Sequence, residues 1–411
     1  MDTLHSRPGP TRYGGNIWRL FTSQALWMFI LWVPIWVIFL QDKGLSLTQI
    51  GLLEALAWVL TAAAEVPTGA LADRWGRKTS LAIGSLVYAV SMFLILAEAM
   101  SPAFLVGYAL WNSSFAFVSG ADQALLYDSL KADGRESEAA KQSGRSAAIQ
   151  QASQGIAALA GAALATIDIT LCFTLCGVAA LLSAGLILTV NEPPHHEEGE
   201  EQLGYWQNLR AGVAIAARRP IVRTLLLLSA TFFVVPLIVY YFLLQPYALE
   251  VGLPIAALGL VVVGIQAATV AASWVAYRSG ERFAIATIVG TSGALVIAAC
   301  MVLAVRPSIP TIGLMLVVAL MPAIVGPLLL ARINDLIPSG QRATILSLSA
   351  VLGELGTAAA VPVLLFVADI LDPAAAIGVA AGIFAIAFVP LWLLWRTQDV
   401  GARSRQTIDA G

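Results

Sequence analysis

Charged side chains are scarce in this chain. Asp, Glu, Lys and Arg make up 12% of its 411 residues, whereas hydrophobic residues make up 59%. An average soluble domain is about one quarter charged, so this composition cannot cover a surface that faces water. The apolar residues come in runs of about 20 or more, each long enough to cross a hydrocarbon core of about 30 Å. The composition therefore excludes a soluble enzyme and predicts helices that lie in a membrane.

Other chemical features are also missing. The three cysteines, Cys172, Cys176 and Cys300, all lie in apolar segments, which excludes a disulfide framework. A GxxxxGK(S/T) phosphate loop for ATP is absent, so transport would need a gradient as its energy source. The net charge of −2 indicates no nucleic-acid partner. Because no polar catalytic cluster or soluble domain stands out, we expect no metal, no cofactor and no enzymatic activity.

Twelve apolar runs are separated by Gly, Pro or charged breaks. They lie at residues 17–40, 47–72, 79–99, 102–129, 142–166, 169–190, 221–249, 254–277, 283–305, 309–335, 342–368 and 374–395. The predicted fold is an all-α membrane protein with 12 transmembrane helices in two six-helix halves. The halves are residues 1–190 and residues 221–411, the latter ending in a short cytoplasmic tail. Residues 191–220 form a predicted cytoplasmic linker, in which apolar residues at helical spacing indicate an interfacial helix.

The distribution of basic residues predicts the orientation. An even number of spans places both termini on one side of the membrane. The loops on that side hold nearly all Lys and Arg residues, whereas the opposite loops hold only Lys43 and Arg306. Because Lys and Arg resist translocation, we predict cytoplasmic termini in a multi-pass protein of the bacterial inner membrane. The run at 17–40 is too long for a cleavable signal, so we expect it to be retained.

The loop between the second and third spans carries a motif. It reads Gly69-Ala70-Leu71-Ala72-Asp73-Arg74-Trp75-Gly76-Arg77-Lys78 and resembles the G-x-L-x-D-R-x-G-R-K signature of the major facilitator superfamily. A degenerate copy follows the eighth span, where Arg278, Gly280 and Arg282 keep the matching offsets. The resemblance implies twelve helices in two pseudo-symmetric halves and transport by alternating access.

Charged residues at the predicted cytoplasmic helix ends form a second repeat. Asp128 and Arg145 flank the loop after span four, and Asp335 and Arg342 flank the loop after span ten. We predict a conformational latch whose ion pairs form in one state and break in the other. Its members are Gly69, Asp73, Arg74, Gly76, Arg77, Lys78, Asp128, Arg145, Asp335 and Arg342. For the basic cluster alone, a simple topology anchor is the alternative.

Carboxyl groups inside the spans are candidates for proton coupling, since an Asp at mid-helix costs about 2.5–3.5 kcal/mol on insertion scales. At about 1.5 Å of rise per residue, Glu354 lies roughly 18 Å along its span from Arg342. A carboxyl in a half-dry cavity can take up a proton on one side and release it on the other as access alternates. The candidates are Asp122, Glu354, Glu65 and Glu54. The alternative is that each is a structural partner for an Arg, a hydroxyl or a helix end.

If the superfamily layout applies, spans one, four, seven and ten line the central cavity. Aromatic side chains with few polar groups dominate three of these spans, which favours an apolar or aromatic ligand. The substrate-binding candidates are Gln24, Trp27, Trp32, Trp36, Trp111, Asn112, Ser113, Phe232, Phe233, Tyr240, Tyr241 and Gln245. Trp and Tyr also gather at membrane interfaces as anchors, which is the alternative for rings near span ends.

These features favour a secondary active transporter that moves a small hydrophobic or aromatic molecule, with proton-coupled efflux as the leading hypothesis. Two features that many exporters of the superfamily carry are absent. Ala116 stands four residues before Gly120, where those exporters carry Arg, and the run from Gly155 to Gly161 lacks their proline. Proton-coupled or facilitative uptake of a nutrient or metabolite is the alternative. A membrane receptor or enzyme on a helical frame is an alternative of another class. The expected partners are the substrate, protons and the bilayer, and we expect a monomer.

Overall fold

The computed structural model describes residues 13–193, 205–338 and 341–409, and within these ranges the regular structure is helical. The α-helices of these ranges are, in chain order, α1 (Gly14–Trp27), α2 (Trp36–Asp42), α3 (Leu47–Trp75), α4 (Arg77–Leu94), α5 (Pro102–Val118), α6 (Ala121–Ala132), α7 (Ala139–Ala165), α8 (Ile169–Leu188), α9 (Tyr205–Arg218), α10 (Pro220–Ile238), α11 (Leu244–Glu250), α12 (Ile255–Arg282), α13 (Ile285–Val305), α14 (Leu314–Leu336), α15 (Arg342–Ile370) and α16 (Pro373–Asp409). Short 3₁₀ turns lie at Val33–Ile35, Glu136–Glu138 and Pro310–Gly313, and a π turn lies at Val239–Leu243.

Seven helical segments among the described residues are long and apolar enough to cross a membrane, as judged by length and composition. They are Ile169–Leu188, Pro220–Glu250, Ile255–Ala272, Ile285–Val305, Pro310–Leu336, Thr344–Ile370 and Pro373–Gln398. Two shorter apolar segments, Val33–Asp42 and Leu47–Thr61, accompany them. The apolar runs of the sequence therefore do form helices, although several of these helices are interrupted.

The first of two compact units comprises Met1–Val33 and Ala63–Glu200. In this unit α4 packs against α5 and α8, and α1 packs against α7 and α8. A cluster of aliphatic side chains from α1, α4, α6 and α8 forms one core of the unit. Its fully buried members include Leu20, Leu125, Leu126 and Leu130.

The second unit comprises Pro34–Ala62 and Glu201–Gly411, so α2 and the first part of α3 belong to it. Helix α10 packs against α14, α15 and α16, while α13 packs against α14 and α16. Helix α9 occupies the segment for which an interfacial helix was predicted, and it packs against α15 at Gly212 and Thr344. The division of the chain at residues 191–220 into two pseudo-symmetric halves stays a prediction.

The first predicted span, residues 17–40, is not one continuous helix. Helix α1 ends at Trp27, and α2 begins at Trp36 after an irregular stretch. Pro34 lies in this stretch and has no backbone N–H to continue a helix. The prediction of an unbroken helix over 17–40 is therefore wrong.

Neighbouring helices provide partners for the backbone of this break. The amide of Leu31 donates to Sγ of Cys176 at 3.3 Å, and the Cys176 thiol donates to the carbonyl of Phe29 at 3.4 Å. Gly161 on α7 lies directly against the carbonyl of Leu31, where a Cβ would have no room. Backbone groups at membrane depth must find partners within the protein, and α7 and α8 supply this surface.

The fourth and seventh predicted spans are also interrupted. In the fourth, α5 ends at Val118, and Gly120 takes a φ of +76°, a left-handed conformation that favours glycine. The prediction of one helix over 102–129 is therefore wrong at this point. In the seventh, the π turn Val239–Leu243 begins three residues after Pro236. Proline removes one hydrogen bond of the helical ladder, and π turns are single-turn insertions in such ladders.

We expect Gly161→Ala to destabilise the first unit, because the added Cβ would overlap the Leu31 carbonyl and force α7 away from the break. Overpacking of this kind costs about 1–3 kcal/mol. The measurement is the apparent unfolding temperature of the purified protein in detergent.

Gly185→Ala on α8 is the matched control, since a Cβ there meets no atom within 4 Å. Its unfolding temperature should equal that of the wild type or lie slightly above it. Equal unfolding temperatures for the two alanine variants would contradict the close approach at Gly161.

Candidate functional site

Asp122 lies at the break in the fourth span. Gly120 ends the irregular turn, so Asp122 falls in the first turn of α6. Its Oδ1 atom accepts a hydrogen bond from the backbone N–H of Gln123 at 2.7 Å. The first turn of a helix favours a negative charge, because unpaired N–H groups point out of its end.

A chain of polar side chains leads away from this carboxyl. The side-chain amide of Gln24 on α1 donates to Oδ2 of Asp122 at 3.2 Å, and the hydroxyl of Ser146 on α7 donates to Oε1 of Gln24 at 2.6 Å. Gln150, one turn further along α7, donates to the Ser146 hydroxyl at 3.0 Å. Gln24 is buried and Asp122 is half-buried. The structure therefore brings together two predicted site residues, Asp122 and Gln24, and adds Ser146.

A small cavity of about 30 Å³ adjoins this chain. Asp122, Gln24 and three serines, Ser23, Ser85 and Ser183, contribute to its wall. The hydroxyls of Ser23 and Ser183 lie 2.8 Å apart in a hydrogen bond. A volume of this size holds about one water molecule.

Three of the predicted aromatic residues of spans one and four, Trp27, Trp32 and Trp111, pack together in the first unit. The ring of Trp27 lies 4.8 Å from that of Tyr88, and the ring of Trp32 lies 5.1 Å from that of Trp111. The indole N–H of Trp32 donates to the hydroxyl of Tyr88 at 2.9 Å. Phe115 packs edge-on against Trp27, Tyr88 and Trp111. Tyr88 was not predicted from the sequence, because the third span carries no motif around it.

The side chains of Asn112 and Ser113 on α5 donate hydrogen bonds to carbonyls of the same helix. The Asn112 amide donates to the carbonyl of Tyr108 at 3.1 Å, and the Ser113 hydroxyl donates to that of Ala109 at 2.8 Å. Such i−4 bonds satisfy polar side chains in an apolar span. Both residues therefore have local partners, and their predicted role in substrate binding stays a prediction.

Three predicted site residues, Trp36, Glu54 and Gln245, lie in the second unit. The indole N–H of Trp36 donates to Oε1 of Glu54 at 2.7 Å, and Glu54 is 3% exposed. Oε1 of Gln245 accepts from the backbone N–H of Val37 at 2.8 Å, at the start of α2. In this arrangement Gln245 satisfies an amide of a helix that begins inside a broken span. Asp369, which was not predicted, plays a similar part for α3: its Oδ2 atom accepts hydrogen bonds from the backbone N–H and the hydroxyl of Thr48.

A larger cavity of about 310 Å³ lies within the second unit. Its wall comes from α10, α14 and α15, and includes Ser229, Phe233, Pro322, Gly326 and Ser349. Phe233 was a predicted substrate residue and is 42% exposed. Phe232, another predicted substrate residue, also belongs to the wall. The glycine, proline and serine residues of the wall were not predicted, because in an apolar run they give no periodic signal.

The other aromatic candidates of the seventh span differ in surroundings. Phe232 is 2% exposed and packs edge-on against Phe384 and Phe388, although it also reaches the cavity wall. Tyr240 and Tyr241 lie in the π turn with their rings 4.7 Å apart. The two rings meet edge to face.

Arg77 and Asp128, two members of the predicted latch, form an ion pair. Arg77 also donates to the carbonyl of Ala124 at 2.9 Å. Glu192, just beyond α8, accepts from the backbone N–H groups of Arg77 at 3.0 Å and Lys78 at 3.2 Å. Gly76, with φ of +90°, makes the turn before these amides. Glu192 was not predicted, although an acidic residue suits the N-terminus of a helix.

Among the latch side chains that the structure describes, Arg145, Asp335 and Arg342 form no such ion pair. Arg145 is exposed and donates to Gln142 on its own helix at 3.5 Å, and Arg342 donates to the carbonyl of Asn334 at 3.4 Å. Asp335 is exposed. The latch stays a prediction.

Several predicted positions have no described side chain. Gly69 lies in the helical backbone of α3, while the side chains of Glu65, Asp73 and Arg74 lie outside the described residues. Glu354, the other coupling candidate, is half-buried on α15.

The loop after α6 carries a half-buried ion pair. Arg135 donates to both carboxyl oxygens of Glu138, at 3.0 and 2.8 Å, and Gln142 donates to Glu138 as well. The hydrogen bonds from Arg135 and then Gln142 lower the pKa of Glu138 from 4.5 to about 2. Because the folded pKa lies below the unfolded value, the stabilisation is present above pH 4.5 and is lost as the pH falls toward 2.

We expect Glu192→Ala to destabilise the first unit by about 0.5–2 kcal/mol, the usual cost of losing a helix cap, because two amides of α4 lose their acceptor. Glu192→Gln keeps one acceptor oxygen and should lose less. The apparent unfolding temperature in detergent measures both. Glu98→Ala, an exposed carboxyl in the loop between α4 and α5, should leave it unchanged. If Glu192→Ala also left it unchanged, the capping role would be rejected.

Comparison with protein families identifies one that matches the chain. The family model of the Major Facilitator Superfamily matches residues 20–318. No curated protein sequence shows significant similarity to the chain.

Solved structures of transporters resemble the whole fold. The crystal structure of nucleoside transporter NupG matches with a TM-score of 0.73 and 14% identity, covering 93% of this chain and 98% of that one. A bacterial homologue of the human lysosomal transporter Spinster, in an inward-facing and unoccupied conformation, matches with a TM-score of 0.71 and 17% identity over 95% and 98% of the two chains. The crystal structure of the D-xylose-proton symporter matches with a TM-score of 0.66 and 14% identity, covering 92% of this chain and 99% of that one. At these identities the likeness concerns the fold alone.

Proposed function

The chain belongs to the major facilitator superfamily and is an integral multi-pass membrane transporter, not an enzyme, and on this premise we propose that it moves a small hydrophobic or aromatic molecule by proton-coupled alternating access. The leading direction is efflux. We further propose that it lies in the bacterial inner membrane with both termini in the cytoplasm, which the Lys and Arg asymmetry of the loops supports.

The hydrogen-bonded pair of Asp122 and Gln24 carries the coupling proposal. A deprotonated Asp122 only accepts hydrogen bonds, and it does so from Gln24 on α1 and from the amide of Gln123. Protonation removes the negative charge from the helix N-terminus and weakens both bonds. Uptake of a proton therefore changes the contact between α1 and α6, at a point where the fourth span is already broken. A proton equilibrium can thus bias the conformation of two helices.

The surroundings of Asp122 suit proton exchange. The carboxyl is half-buried, and the adjoining cavity of about 30 Å³ is large enough for one water. Its hydrogen-bond partners are the neutral Gln24 side chain and the backbone amide of Gln123. Protonation of Asp122 therefore leaves no buried cation without its counter-charge. Glu54 differs, because it is buried against the Trp36 indole. This contrast favours Asp122 over Glu54 as the coupling group.

The aromatic cluster of Trp27, Trp32, Tyr88, Trp111 and Phe115 supports a hydrophobic or aromatic substrate. Its rings meet at centroid distances of 4.8 to 6.2 Å. Aromatic surfaces bury large apolar areas, and the Tyr and Trp rings add a few hydrogen-bonding groups. Uptake of a polar nutrient by symport is the competing function, which the assay below separates by direction and by substrate.

We expect Asp122→Asn to lower gradient-driven flux in proteoliposomes at least about tenfold, equivalent to about 1.4 kcal/mol of coupling free energy. Asparagine cannot bind the coupled proton, although it can still hydrogen-bond to Gln24. Exchange of labelled substrate without a gradient should persist. The substrate is first identified by screening uncharged aromatics, aromatic cations, sugars and organic acids under an imposed pH gradient.

Glu98→Gln is the matched control for this assay, since it neutralises an exposed carboxyl in the loop beyond the end of α4. Glu354→Gln tests the second candidate in the same way. Intact gradient-driven flux in the Asp122→Asn, Glu354→Gln double variant would reject proton coupling through these groups. Flux in the same direction as the protons would replace efflux by uptake, and exclusive flux of sugars or organic acids would overturn the aromatic substrate class.

A further inference from the structure

The apolar cavity of the second unit exists because α14 presents little side-chain volume to it. Gly326 lines the cavity, and a Cβ built there meets no atom within 4 Å. Pro322, one turn earlier, also lies in the wall, and Pro327 follows directly in the helix. Prolines inside a helix remove hydrogen bonds of its ladder, and neither proline nor glycine fills the space that faces α10 and α15.

The chemistry of the wall favours uncharged ligands over charged ones. The cavity wall is drawn from described residues, and all of its side chains are uncharged. Ser229 on α10 and Ser349 on α15 are its hydroxyl-bearing residues. An ion placed here would lose part of its hydration without gaining an opposite charge, which is unfavourable. A neutral molecule with one hydroxyl or carbonyl could instead bond to either serine, since each hydroxyl both donates and accepts.

The volume of the cavity sets the size of its ligand. At about 310 Å³ it falls in the range of small-molecule sites. An apolar cavity of about 150 Å³ in another protein admits one benzene ring. This cavity is about twice as large and therefore has room for two fused rings. Phe233, packed against Gly353, provides an aromatic face for stacking.

We propose that this cavity between α10, α14 and α15 binds an uncharged two-ring aromatic molecule that carries at most one or two polar groups. The role of this molecule as the transported substrate rests on the function proposed above, whereas its binding does not. The site lies wholly within the second unit, and it uses the open space at Gly326.

The test is photolabelling of the purified full-length protein in lipid nanodiscs. The reagent is an uncharged 2-naphthyl diazirine, with excess 2-naphthol as competitor, and the labelled peptides are mapped by mass spectrometry. The competitor-sensitive labelling of α10, α14 and α15 measures occupancy of the cavity, because insertion from the lipid phase does not saturate. A trimethylammonium derivative of the same diazirine tests the exclusion of charge.

We expect Gly326→Leu to lower competitor-sensitive labelling at least about tenfold, since the leucine fills the cavity without an initial clash. Gly264→Leu on α12 is the matched control, because a Cβ there also meets no atom within 4 Å. It should label like the wild type. Ser349→Leu fills the cavity from the opposite wall and should act like Gly326→Leu, which covers the case in which one variant folds poorly.

Equal competitor-sensitive labelling in the wild type, Gly326→Leu and Ser349→Leu would overturn the proposal, as would preferential labelling by the charged derivative. Labelling is read without any gradient, so the failure of proton coupling leaves its result unchanged. If labelling behaves as expected and no naphthyl compound is transported, the binding site stands and its role as the site of the transported substrate fails.

Discussion

Each backbone amide and carbonyl inside a hydrocarbon layer must find its hydrogen-bond partner within the protein, and the arrangement of these helices depends on this constraint. A continuous helix meets it alone. The interrupted spans need side chains from elsewhere: Cys176 serves the break of the first span, and Gln245 serves the amide of Val37 at the start of α2. The breaks are therefore joined by hydrogen bonds to elements that are remote in sequence, and polar groups are concentrated at the breaks.

The buried carboxyls follow the same constraint. Glu54 accepts from the indole of Trp36, and Asp122 accepts from Gln24 and from the amide of Gln123. Glu54 is buried, whereas Asp122 is half-buried beside a small cavity at the start of a helix. The two carboxyls therefore differ in burial and in their position relative to a helix end, and the proposed coupling role of Asp122 rests on this difference. Neither property is visible in the residue type.

Much of the site was predictable one residue at a time but not as an assembly. Gln24 and Asp122 were predicted for different roles, and one hydrogen bond joins them across 98 positions of sequence. Trp36 and Gln245 were predicted to meet substrate, yet in the structure they bond to Glu54 and to the backbone of Val37. The cavity at Gly326 was missed, because an absence of side-chain volume leaves no periodic pattern.

The sequence by itself determined the membrane environment, the helical fold and the family. These follow from local quantities, namely the length and hydropathy of apolar runs, and from one contiguous motif at Gly69 to Lys78. Tertiary structure alone decided which helices break, which carboxyl meets which donor, and where space remains between helices. Those outcomes depend on close approaches such as Gly161 against Leu31. Close packing is a property of facing surfaces and not of any single segment.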